Sequence, residues 1–269
     1  MAFTKNEAQK SWTLEDAFFA YAQSQRIQTL KSGQLLQPLN LNSNQERKLL
    51  SALSKRKLIA RVRRGLYLIP PTLPVGGVWT PSESLALSSL IDDQNGTFQI
   101  SGLNAFRRYG WDDQIPNRTF VYNDRISGTR TIGSNIFDLA KVNKKRLGSV
   151  EKVTSQGFTL LYSSKSRALI DAIYDWKRFN SLPVAFDWVR KEIKSGLDPS
   201  TLVNDAIKHG NSSTIRRLCV ILERCDAPRR LLNKLEEQLP ESSSSIPLAP
   251  SKPKRGKLNK RWAVVENDE

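Results

Sequence analysis

Asn44, Arg47, Lys48, Ser51 and Lys55 are the residues whose types and spacing carry the clearest chemistry in this chain. Asparagine and arginine pair bidentately with adenine and guanine edges, and lysine neutralises phosphates or reaches guanine. Placed on a helix at about 100° per residue, these five fall on one side and Leu49, Leu50 and Leu53 on the other. One face packs and the other is available to a ligand. A solvated amphipathic helix has the same pattern, so what flanks it decides the reading. Just downstream, Arg61, Arg63 and Arg64 gather around Gly65, a residue that tolerates positive φ in a tight turn. Cations there suit a flanking phosphate or a minor groove.

The elements that must hold these groups follow from local signals. Ser43-Asn-Gln-Glu46 has the form of a capping box that starts the basic helix. Upstream, Thr13 with Glu15 and Asp16 starts a first helix carrying Leu14, Ala17, Phe18 and Tyr21 at helical spacing. Arg26 to Lys31 alternates like a short strand, and Ser32 to Leu39 predicts a brief second helix that Pro38 ends. Leu58 to Val62 and Leu66 to Ile69 form a hairpin around the basic turn, stopped by Pro70-Pro71. Helix, strand, helix, helix, hairpin is the order of a winged helix-turn-helix, with the third helix as reader and the hairpin as wing.

Charge supports a polyanionic partner. The chain carries 42 Lys and Arg against 26 Asp and Glu, a formal charge of +16 over 269 residues. Residues 1 to 72 hold twelve of the cations, including Lys5 and Lys10, against Glu7, Glu15, Asp16 and Glu46, so half the net charge sits in about a quarter of the chain. Membrane partners are disfavoured, since no apolar run approaches the roughly 18 residues of a span and Met1 to Lys10 has no apolar signal core. A cytoplasmic protein is expected.

Past a Pro- and Gly-containing connector from Leu73 to Trp79, a helix is expected over Ser82 to Ile91 and a strand over Thr97 to Ile100. Ser101 is positioned to cap a helix through Tyr109, closed by Gly110. Strands follow at Phe120 to Tyr122, Arg130 to Ile132 and Ile136 to Val142, expected to be mostly antiparallel. From Ser164 the pattern is helical, with stripes near 168–176, 183–194, 201–209, 214–223 and 229–238. The expected fold is therefore α+β: a winged helix-turn-helix over 1–72, a larger mixed α/β domain over 80–239 ending in a helical bundle, and a basic Pro/Ser-rich tail over 240–269. Trp262-Ala-Val-Val265 in that tail is expected to dock on the body.

Ile100-Ser-Gly-Leu-Asn-Ala-Phe-Arg-Arg-Tyr-Gly-Trp111 with Gln114-Ile-Pro116, Arg63-Arg64-Gly65-Leu-Tyr67, Ser166-Arg-Ala-Leu-Ile-Asp171 and Gly256-Lys-Leu-Asn-Lys-Arg-Trp262 together carry a resemblance. In order and spacing, over nearly the whole chain, they resemble the AbiEi family of type IV antitoxins from bacterial abortive-infection systems. The resemblance implies a repressor of its own operon at inverted-repeat promoter DNA, and a C-terminal domain that counters a cognate nucleotidyltransferase-like toxin in antiviral defence. It does not imply a stable toxin complex. The alternative is a winged-helix transcriptional regulator whose second domain senses a ligand or a protein. Inverted repeats suit a monomer binding twice or a weak dimer.

Other chemistry is poorly supplied. There is no phosphate-cradling Gly-rich loop, no His-Glu-x-x-His and no G-x-S-x-G, so neither an enzyme nor a cofactor is expected. Asp112-Asp113, Asp171 with Asp175, and Glu83 suit caps and ion pairs better than a nuclease metal set. Cys219 and Cys225 match no zinc spacing and read as reduced core thiols, and the chain has one histidine, His209. Arg107, Arg108, Arg255 and Lys257 are candidates for a second nucleic-acid or partner surface.

Overall fold

The computed structural model describes residues 13–73, 76–155, 157–241 and 244–268. The expectations resting on Met1 to Lys10, and part of those on the connector and the tail, lie outside the described residues. The chain has a mixed α/β architecture in two compact units, Met1–Asp93 with Arg130–Ile136, and Gln94–Thr129 with Phe137–Glu269. The first unit thus runs past the boundary expected at residue 72. Helix α3 (Glu83–Asp92) belongs to it and packs on strand β2 (Ala60–Arg63).

In the first unit, α1 (Leu14–Ser24) starts at a reciprocal box between Thr13 and Asp16 and buries Phe18, Phe19 and Ala22. Helix α2 (Ser43–Lys55) is capped by Asn42 and Gln45, one residue ahead of the expected Ser43–Glu46 box. Glu46 is needed elsewhere. Only 3% exposed, its carboxylate accepts the Gly33 N–H at 2.8 Å and the Leu35 N–H at 3.1 Å. The expected second helix over Ser32 to Leu39 is a chain of turns instead. Gly33 and Asn40 take positive φ, which a helix does not admit, and Pro38 supplies no donor. The turns drive Leu35 into a core with Phe18, Leu30, Leu50, Leu53 and Ile59. Strands β1 (Thr29–Lys31) and β3 (Leu66–Leu68) join β2 in an antiparallel sheet of order β1-β3-β2.

The large sheet comprises strands β4 (Phe98–Ile100), β5 (Thr119–Asn123), β6 (Gly128–Ile132), β7 (Asn135–Lys141), β8 (Val150–Ser155) and β9 (Phe158–Ser163), in the order β6-β7-β5-β4-β9-β8; all of it lies in the second unit except Arg130–Ile136, the β6–β7 hairpin tip, which belongs to the first. The sheet is mixed, since β5 runs parallel to β7 and β4 parallel to β9, where mostly antiparallel pairing was expected. The β8–β9 hairpin has no strong counterpart in the sequence pattern, because its strands are largely half-exposed and lack a clean apolar alternation. Helices α5 (Lys165–Tyr174), α7 (Val184–Lys194), α8 (Pro199–His209), α9 (Ser212–Arg224) and α10 (Arg229–Glu236) pack into a core that includes Phe106, Phe186, Leu202 and Leu218, with the short α6 (Trp176–Phe179) between the first two.

Ser101 does not cap α4 (Leu103–Arg108); Gly102 occupies that position without a side-chain cap. A Cβ at Gly102 would lie 2.3 Å from the Phe179 ring at a φ of +59°, so a side chain there is both strained and blocked. The Ser101 hydroxyl instead donates to Asp171 Oδ2 at 2.8 Å. Asp171 and Arg167, both wholly buried, pair at 2.9 Å, and Arg146 reaches the same carboxylate at 3.0 Å. Arg167 also donates to the Arg146 carbonyl at 2.8 Å.

The tail is part of this unit. Strands β10 (Ile246–Pro247), β11 (Lys257–Asn259) and β12 (Val264–Glu266) form a small sheet of order β10-β12-β11. Trp262 is 1% exposed in the main core, and its indole N–H donates to Glu223 on α9 at 3.0 Å. Gly256 allows the close crossing, since a Cβ there would fall 1.9 Å from the Glu266 carbonyl oxygen.

His209 is buried beside this ionic cluster, its Nε2 3.2 Å from the Ser149 hydroxyl, which itself bonds Asp205 at 2.5 Å. Burial first, then the charges of Arg167, Lys208 and Arg146, push its pKa down to about 3. An imidazole in the unfolded chain titrates near pH 6.5. As pH falls from about 6.5, the unfolded state binds a proton that the folded state refuses, and stability drops by up to about 1.4 kcal/mol per pH unit. Above that range the group adds no pH dependence. Urea midpoints from pH 7 to 5 are expected to fall more steeply in the wild type than in His209→Gln; equal slopes would contradict a neutral buried imidazole.

Candidate nucleic-acid interface

Helix α2 leaves Asn44, Arg47, Lys48, Ser51 and Lys55 exposed while Glu46, Leu49, Leu50 and Leu53 are buried. The inward set anchors the helix to the turns and the sheet, so the outward set is held on a rigid element rather than a loop. Arg47, Lys48, Ser51 and Lys55 line one shallow groove. Arg47 donates to Asn44 Oδ1 at 2.9 Å, which keeps the two side chains on one side of the helix. Lys48, Ser51 and Lys55 carry no side-chain hydrogen bond or ion pair among the described residues.

The β2–β3 hairpin supplies further cations, one of which is ion-paired. Arg61 and Arg63 point outward from β2, and Arg64 precedes Gly65, whose φ is +80°. The bulge between Arg61 and Arg63 bends the strand there. Arg63, expected to grip a phosphate, is instead bound to Asp93 at 2.5 and 2.8 Å and to the Arg64 carbonyl at 2.7 Å. Its hydrogen bond to Asp93 holds the guanidinium pKa above its ordinary value. Lys31 approaches the same carboxylate at 3.8 Å. Arg63 therefore braces the turn, and Arg61 and Arg64 remain exposed. Arg56 is likewise paired, with Glu15 at 2.6 Å.

Sequence reasoning missed a neighbouring cleft of about 420 Å³ that includes Lys57, Trp79, Thr131 and Ser134 and shares Lys55 with the groove on α2. Lys57 is one of the twelve cations of residues 1–72 and belongs to none of the motifs above. Nothing in the pattern of residues 131–134 points to a segment so far away in sequence.

In the second unit, Arg107 and Arg108 are exposed at the end of α4, and Arg108 lies 3.8 Å from Glu151 and over the Tyr162 ring. Arg255 and Lys257 are exposed on the tail. No hydrogen bond or ion pair joins the two pairs among the described residues. Three of the carboxylates weighed as metal ligands have structural partners: Asp171 holds two arginines, Asp175 accepts from the Tyr122 hydroxyl, and Asp112 accepts the Gln114 N–H at 2.9 Å. Among the described residues no three His, Cys, Asp or Glu side chains group as a metal requires. Nor is any helix there long and apolar enough to cross a membrane.

These features define a two-unit mixed α/β protein with a basic helix and hairpin in its first unit. No family model and no curated protein matches the chain. Among solved structures it is similar to the crystal structure of the RV2827C protein from Mycobacterium tuberculosis, with a TM-score of 0.59 over 94% of this chain and 91% of that one, at 14% identity. At that identity the likeness concerns the fold.

Proposed function

We propose that this chain is a sequence-reading DNA-binding repressor whose first unit works as a winged helix-turn-helix. The observation that carries the proposal is the outward face of α2, with Asn44, Arg47, Lys48, Ser51 and Lys55 exposed opposite a buried leucine row and beside a turn exposing Arg61 and Arg64. In this reading α2 enters a major groove, where Asn44 and Arg47 exchange their mutual hydrogen bond for base edges. The lysines and the turn arginines take phosphates, which set orientation and most of the salt-dependent affinity. The turns over residues 32–40 stand where other proteins of this kind carry a second helix, and Glu46 holds them in place.

Fluorescence anisotropy on the chain's own promoter and on a scrambled duplex tests this reading. Arg47→Ala is expected to weaken the promoter complex by roughly 1–3 kcal/mol and to lower discrimination. Arg64→Ala is expected to weaken both complexes alike and to reduce the salt slope by about 0.9. Wild-type affinity, discrimination and slope in both variants would discard the assignment.

The resemblance to AbiEi antitoxins extends the proposal: the repressor is the regulatory arm of a type IV toxin–antitoxin pair, and the second unit opposes a nucleotidyltransferase-like toxin. The residues that suggest it in the second unit are of two kinds, interior ones such as Trp111, Arg167, Asp171 and Trp262 and exposed ones such as Arg107, Arg108 and Lys257. The interior set supports a shared scaffold. Full-length chain carrying Arg47→Ala would then rescue cells from the toxin of a neighbouring gene while failing to repress. Absence of rescue by the wild type would leave a repressor without an antitoxin role.

A further inference from the structure

We infer that the cleft beside the C-terminal end of α2 is a second DNA-binding element, which seats the sugar–phosphate backbone of the duplex flanking the segment read by α2. The inference rests on the DNA-binding reading above and adds to it residues that belong to neither the helix face nor the basic turn.

Lys55 at the end of α2, Lys57 just beyond it and Arg61 on β2 line the cleft together with Trp79 and the hydroxyl-bearing residues Thr131 and Ser134. No Asp or Glu contributes to the lining. The three cations have no ion pair among the described residues, in contrast to Arg56 and Arg63 of the same unit, which are bound to Glu15 and Asp93. Three uncompensated cations beside two hydroxyls match the groups that proteins present to phosphate oxygens. A half-buried indole beside them suits the apolar face of a deoxyribose.

The walls are built rather than incidental. The Trp79 N–H donates to the Lys57 carbonyl at 2.8 Å, which fixes one side on the other. The tip of the β6–β7 hairpin is fastened to the same segment. Asn135 Nδ2 donates to the Pro81 carbonyl at 2.9 Å, and a Cβ at Gly133 would lie 2.9 Å from both Thr80 and Pro81. Gly133 also has a φ of +64°, so this contact requires glycine on two counts.

Position identifies the occupant. The cleft meets the groove on α2 at Lys55, so a strand leaving the major groove at the end of α2 continues directly into it. A free nucleotide would need no such continuity.

The test uses the full chain, its own promoter duplex, a scrambled duplex and a single-stranded oligonucleotide. Lys57→Glu, and independently Ser134→Glu in an exposed turn, are expected to weaken both duplexes about tenfold, with the salt slope falling by about 0.9 per phosphate lost. Hydroxyl-radical protection is expected to disappear at one outer edge of the footprint, while discrimination between promoter and scrambled duplex persists. Lys57→Arg retains binding, and thermal melting confirms that each variant is folded. If both Glu variants keep wild-type affinity, slope and footprint while Arg47→Ala loses discrimination, the cleft is not part of the interface and the DNA-binding reading stands. If those variants lose only single-strand binding, the duplex assignment is overturned. If the wild type binds neither duplex, the reading and the inference fall together.

Discussion

Replacing Asp171 by alanine is expected to destabilise the second unit by about 3–5 kcal/mol, among the largest effects of any single substitution in the chain. Asp171 and Arg167 are both wholly buried, and Asp171 also faces Arg146, whose side chain is 12% exposed. Removing the carboxylate leaves two guanidinium groups around an uncompensated site and strands the Ser101 hydroxyl, which donates to it at 2.8 Å. The remaining partners of Arg167, the carbonyls of Arg146 and Gly148, solvate the cation only in part. Much of the loss therefore reflects the charge left behind rather than the strength of the pair. Asp171→Leu combined with Arg167→Met is accordingly expected to cost less than Asp171→Ala alone. Urea unfolding followed by the fluorescence of the tryptophans in this unit measures both. A midpoint for Asp171→Ala within error of the wild type would show that the cluster is not a keystone.

Trp262→Ala is expected to cost a comparable amount, about 3–5 kcal/mol, through the cavity left by an indole in a packed interior. The ring is 1% exposed, stacks under the Arg261 guanidinium at 4.3 Å and donates to Glu223. It is also the main apolar anchor of a segment otherwise held by short strands and by the Arg224 pairs with Glu266 and Asp268 at 2.5 and 2.6 Å. Trypsin is expected to cut the tail of the variant at Lys254, Arg255 or Lys257, well before it attacks the helical core. Trp262→Phe, which keeps most of the apolar area and loses the Glu223 bond, is expected to fall between. A tail as resistant in Trp262→Ala as in the wild type would mean that the strand pairing alone holds it.

Both effects concern the second unit, and neither touches the groups proposed to meet DNA. That separation is useful. A variant of Asp171 or Trp262 that still melts as a folded first unit would report on what the second unit contributes in cells, independently of promoter binding.

Much of the first unit was legible because its signals are local. The face of α2 follows from Leu49, Leu50 and Leu53 recurring at helical spacing, and the hairpin from a glycine between two alternating segments. The misreadings there share one cause. Glu46 suits a capping box by spacing, yet its carboxylate serves Gly33 and Leu35 from the preceding turns, and Asn42 caps α2. Arg63 suits a phosphate by composition, yet Asp93, thirty residues on, binds it. A local pattern cannot reveal a partner supplied from elsewhere in the chain.

The sequence by itself determined the basic helix face and the basic turn, because each needs only a few neighbouring residues and the geometry of one element. It also determined most helices of the second unit, whose apolar stripes are long and regular. Only the tertiary structure decided which cations are left unpaired, that Arg167 and Asp171 form a buried pair, and that Lys57, Trp79 and Ser134 line one cleft. Those outcomes depend on which distant segments meet, since a charge is neutralised or left available by whatever the fold brings within a few ångströms of it, and sequence spacing carries no record of that distance.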